Sequence, residues 1–211
     1  MTTRLVRHDT DTPVLSGPAA NERLTGWAGG AIFVLLAAEG VTVLLMHELL
    51  VPHVVIGLLL IGPVLLKLAS TGYRFLRYYT GDPMFRVAGP PMIVLRVLAP
   101  LLVVATVLLL GTGSWLLYAP PALRDVVVFL HKASFAIWFL LTAAHVLAYV
   151  WRVPKLLGAD LRPGSGAPSR RGAGARLAAL TLSIAAGALL AAQLAQRAEP
   201  WIQILRQHHE R

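Results

Sequence analysis

Five apolar runs constrain this chain more than anything else in it, each close to the roughly 20 residues a helix needs to cross about 30 Å of hydrocarbon. They are Trp27–Met46, His53–Ser70, Ile93–Tyr118, Val126–Trp151 and Leu177–Gln196. Lipid offers no water to backbone N–H and C=O groups, so each run must satisfy them internally, as a helix does. The expected fold class is all-α, an integral membrane bundle of five transmembrane helices. Composition agrees, because 56% of the 211 residues are hydrophobic and only 14% are charged, too little polar surface for a soluble domain of this size.

The runs divide the chain into a polar N-terminal segment (1–26), a four-helix membrane core (27–152), a basic loop (153–176), a fifth helix (177–196) and a C-terminal tail (197–211). A cleavable signal peptide would enter its apolar core soon after a basic start. Here the first 26 residues hold Asp9, Asp11, Asn21 and Glu22, so the first run is expected to be a retained anchor. Pro63, inside the second run, is expected to kink it. The stretch from Gly158 to Gly174 is rich in Gly, Pro, Ser and Arg and is expected to be a flexible loop.

A net charge of +9 invites a nucleic-acid reading. The positions of the basic residues argue against it, because most lie in the segments between apolar runs. With five alternating spans, twelve Lys and Arg residues fall on the N-terminal side and four on the other. The positive-inside rule then puts the N-terminus in the cytoplasm and the C-terminus outside. The setting expected is a bacterial inner membrane, with the lipid bilayer as partner and no nucleic acid. The absence of Cys rules out thiolate metal sites, iron–sulfur clusters and haem attached through Cys-x-x-Cys-His.

Ionisable side chains at membrane depth point to function by default. In HKASFAIWFLLTAAH, His131 and His145 stand fourteen residues apart. At about 100° and 1.5 Å per residue they project from nearly one face, about 21 Å apart along the axis. One therefore lies near the outer surface and the other near the inner. HVVIGLLLIGPVLLK repeats the interval from His53 to Lys67, on a span crossing in the same direction. His53 then shares a level with His131, and Lys67 with His145. Two haems at two depths need such an arrangement, and the outer level supplies a bis-histidine pair, His53 with His131. Gly57, Gly62, Gly111 and Gly113 are expected to leave room for a flat macrocycle.

At the inner level His145 has no histidine partner. Lys67 either ligates iron as a neutral amine, or snorkels to the headgroups, or meets a haem propionate. With one haem only, His145 would make a structural hydrogen bond. Arg74 and Arg77 are either positive-inside residues or partners of inner propionates. His47 competes with His53 for the outer site, or forms a polar rim with Glu48 at a proton or quinone entry. Glu39 either pairs with a histidine, passes a proton, or is a protonated group bonded to a neighbouring helix.

The histidine pattern resembles bacterial membrane di-haem b-type cytochromes, the cytochrome b subunits of formate dehydrogenase and nickel–iron hydrogenase. In that family two histidines about fourteen apart lie on one late helix, with partners on earlier ones. His131 and His145 match the late helix and His53 an early partner; the fourth histidine is missing, with Lys67 in its place. The resemblance covers roughly residues 27–152. It implies haem b, one or two groups, and electron transfer between the membrane quinone pool and a partner oxidoreductase subunit. The chain would then be a non-catalytic electron-transfer subunit. Three other readings compete. A haem-free transporter or proton-conducting component would use the same Glu, Lys and His residues. A divalent-metal site would use His47, Glu48 and His53. A ferric reductase would need a separate flavin subunit.

Overall fold

The computed structural model describes residues 17–86, 93–149 and 172–209. Most of the N-terminal segment and nearly all of the stretch from Gly158 to Gly174 lie outside the described residues. Every element among the described residues is helical. Five helices are long and apolar enough to cross a membrane. They are α1 (Pro18–Leu44), α2 (Met46–Tyr79), α4 (Ile93–Leu116), α5 (Arg124–Tyr149) and α6 (Ala173–Leu194). Two shorter helices, α3 (Pro83–Arg86) and α7 (Glu199–His209), lie at their ends.

α1 starts nine residues before the first apolar run, because its first turns bury polar groups that have partners. Asn21 Nδ2 donates to the Ser70 carbonyl at 2.9 Å, and the hydroxyls of Thr25 and Ser70 are 2.9 Å apart. Such interhelical bonds contribute about 1 kcal/mol each in a membrane and tie the start of α1 to the second half of α2.

α2 is the central helix. Its one break in helical dihedrals is at Leu49 (φ −112°, ψ 25°). Pro52 follows three residues later, in the first turn of the resumed helix, where its missing N–H costs little. At Pro63 the dihedrals stay helical, and α6 lies against this turn. Pro63 cannot donate to the carbonyl of Leu59, and Gly187 of α6 sits against that carbonyl so closely that a Cβ would overlap it. Gly62 makes the reciprocal approach to the Ser183 carbonyl. Small residues let two backbones meet this way, and Cα–H···O contacts add about 0.5–1 kcal/mol each. Gly62 is therefore a helix-packing residue and does not face the macrocycle space expected of it.

The fifth span lies along α2, as intimately packed on it as α1 is. Arg176, expected in the basic loop, falls in the first turn of α6 and is 1% exposed. The C-terminal residues, expected as a tail, form α7. Trp201 of α7 donates from Nε1 to the carbonyl of Leu116, the last residue of α4, at 3.1 Å. That carbonyl has no partner within its own helix.

α4 and α5 form a second antiparallel hairpin, joined by a turn at Pro120–Leu123. It touches the rest of the bundle mainly through α2 and α4, and sparingly. Between this hairpin and the α1–α2 pair the structure leaves a long cavity.

Candidate functional site

The cavity has a volume of about 1070 Å³, at the top of the roughly 300–1,000 Å³ typical of small-molecule and cofactor sites. Its walls are almost wholly apolar. The exceptions include Glu39, His53, Lys67, Thr142, His131 and His145. Trp201 and Ile204 of α7 also line it, which places α7 at the His53–His131 end. The fourteen-residue intervals do what helical geometry requires: His131 and His145 share one wall, on α5, and His53 and Lys67 share the opposite wall, on α2.

His53 and His131 face each other with ring centroids 6.3 Å apart and planes inclined by 75°. Each ring is anchored at Nδ1. His53 Nδ1 is 3.0 Å from Glu39 Oε1, with the imidazole 19% and the carboxylate 15% exposed. Thr42 closes the group, its hydroxyl 3.0 Å from Glu39 Oε2 and 3.2 Å from His53 Nδ1. Gly57, one turn along α2 from His53, lies beside the carboxylate; a Cβ there would stand in ordinary contact, 3.5 Å from Glu39 Oε1. Across the cavity, His131 Nδ1 is 3.1 Å from the Thr112 hydroxyl. Thr112 donates its proton to the Leu108 carbonyl at 2.7 Å, so its oxygen accepts from His131 Nδ1–H. Glu39 likewise accepts from His53 Nδ1–H. Both arrangements assign the Nδ1–H tautomer and leave each Nε2 with a lone pair.

Gly113 lets His131 sit where it does, since a Cβ at that position would be 3.0 Å from His131 Cε1. Gly57 and Gly113 therefore face the cavity as expected. Gly111 is exposed, with nothing within 4 Å of an added Cβ. Below His131 on the same wall, Trp138 donates from Nε1 to Thr106 of α4 at 3.0 Å and stacks on Phe135 at 6.3 Å between centroids. Sequence reasoning missed Thr42, Thr112 and Trp138. Each is a single polar or aromatic residue in an apolar helix, and only its facing neighbour marks it.

At the other end Lys67 reaches toward α1, with Nζ 3.5 Å from the Thr25 carbonyl. A Cβ on Gly29 would be 2.9 Å from that ammonium, so glycine makes its place. The Thr142 hydroxyl, one turn from His145, is buried and has no hydrogen-bond partner among the described residues. Arg74 and Arg77 are exposed and are not among the residues lining the cavity. Arg77 pairs with Asp82 and lies 6.0 Å over the Phe85 ring, so the turn after α2 holds it. His47 is exposed at the cavity mouth, whereas Glu39 engages His53 directly. Among the described residues no group of three or more His, Cys, Asp or Glu side chains is placed to hold a metal ion, so the reading of His47, Glu48 and His53 as a divalent-metal site has no support.

No family model matches the chain, and no curated protein or solved structure does either.

Proposed function

We propose that this membrane protein is a b-type cytochrome that relays electrons within the bilayer, with one haem b held between His53 and His131. The carrying observation is the 6.3 Å between the two imidazole centroids. A nitrogen–metal bond of about 2.0 Å and a nitrogen about 1.1 Å from its ring centre put two imidazoles on opposite sides of one ion about 6.2 Å apart. The assigned tautomers support the same reading, since both Nε2 atoms carry lone pairs and both Nδ1–H groups donate to oxygen, the arrangement that fixes the ring of a metal-ligating histidine. His53 and His131 would hold the haem, and two protein ligands would suffice for it. The apolar walls and Gly113 suit a flat ring.

When bound, haem supplies a one-electron ferrous–ferric couple. The chain's own residues orient the two imidazoles, and Trp201 and Ile204 line the end of the cavity. The positive-inside asymmetry supports a cytoplasmic N-terminus and an outward-facing His53–His131 site in a bacterial inner membrane. Electrons would pass between the quinone pool and a partner oxidoreductase subunit.

The reading keeps Lys67 off the iron, because its amine donates to the Thr25 carbonyl. A dithionite-reduced minus oxidised visible spectrum of the purified protein, with haem quantified per chain, tests the proposal. We expect low-spin b-type bands and one haem; a colourless protein would return the site to the transporter reading. In the Lys67→Ala variant we expect unchanged bands and haem content. Loss of half the haem in that variant would make Lys67 an iron ligand.

A further inference from the structure

We infer that Glu39 is the positioning residue that sets the reduction potential of the His53–His131 site, which rests on the haem reading above. The two anchors at Nδ1 are chemically unequal. His53 donates to a carboxylate at 3.0 Å, whereas His131 donates to a neutral hydroxyl at 3.1 Å. A hydrogen bond to an ionised acceptor is roughly twice as strong as a neutral one. It moves negative charge onto the imidazole and raises its basicity as a ligand. A more basic axial ligand, with an anionic oxygen behind it, favours ferric iron over ferrous. The same pull does not come from the α5 side.

The geometry is built for this role rather than incidental. Glu39 lies on α1 and His53 on α2, so the bond joins two helices. Thr42, 3% exposed, directs its one proton at Glu39, with the Glu39 carbonyl at 2.7 Å and the second carboxylate oxygen at 3.0 Å. A carboxylate needed only for packing would not require its place on the nitrogen opposite Nε2.

The test is an equilibrium redox titration of the purified, haem-bearing wild-type protein and variants, followed by the visible bands, with ferric spectra by electron paramagnetic resonance. Glu39→Gln keeps an acceptor oxygen of similar size and removes the charge. We expect it to retain haem and to shift the ferrous/ferric ratio at a fixed ambient potential at least tenfold toward ferrous, which is about 59 mV for a one-electron couple. Its ferric g-values should change as the imidazole loses charge. Thr112→Val on the opposite side should shift the ratio less than threefold. A haem-bearing Glu39→Gln protein whose ratio moves by less than twofold overturns the inference, as does an equal shift from Thr112→Val. If Glu39→Gln binds no haem, Thr42→Val decides, because it frees the carboxylate without removing it. A shift in the same direction then supports the inference, and an unchanged potential overturns it. A wild-type protein without haem overturns the cytochrome reading and this inference together, an outcome that no Glu39 variant produces.

Discussion

His131→Ala and His53→Ala should each strip the protein of its haem bands. Loss of a second-shell partner already costs about 10–100-fold in metal affinity, and loss of an axial ligand removes the bond itself. Haem per chain should fall by more than the same factor relative to wild type. His47→Ala is the control that separates site from neighbourhood. His47 lines the same cavity mouth but is exposed, and its removal should leave the bands in place. The small side chain at position 131 also leaves a space shaped for an imidazole, so millimolar imidazole should restore part of the low-spin spectrum in His131→Ala. Retained bands in both single variants would remove these two residues from the iron, whatever the cavity holds.

Gly187→Leu should be the most destabilising single change in the bundle that touches no site residue. A side chain at position 187 meets the Leu59 carbonyl, and backbone cannot rotate aside as a side chain can. Overpacking typically costs about 1–3 kcal/mol where neighbours can adjust; here we expect about 3 kcal/mol or more. Gly62→Leu should behave alike, because it meets the Ser183 carbonyl. Thermal unfolding in detergent, read by loss of helical signal or by protease susceptibility, measures the effect. Gly111→Ala makes the contrast: nothing lies within 4 Å of its added Cβ, so its stability should stay within about 1 kcal/mol of wild type. An equal loss in both variants would mean that the α2–α6 contact is not what the glycines serve.

The same contact gives the carbonyl freed by Pro63 a neighbour, since Gly187 of α6 lies against the Leu59 carbonyl. Gly62 was assigned to the cavity by reasoning from its own helix alone. Its packing partner lies more than a hundred residues away in sequence.

The sequence by itself determined the number of spans and the shared level of His53 and His131. Both follow from quantities internal to a helix, about 1.5 Å and 100° per residue, applied to spans that hydrocarbon thickness forces to cross. The tertiary structure alone decided which oxygen meets each Nδ1. It also decided that α6 lies along α2, and that residues 199–209 fold back as a helix over the end of α4. Those outcomes depend on how each helix is rotated and displaced against its neighbours, and no single helix carries that information in its own period. Glu39 shows the difference most plainly. Its depth could be counted from the chain, but its bond to His53 exists only because of how α1 packs against α2.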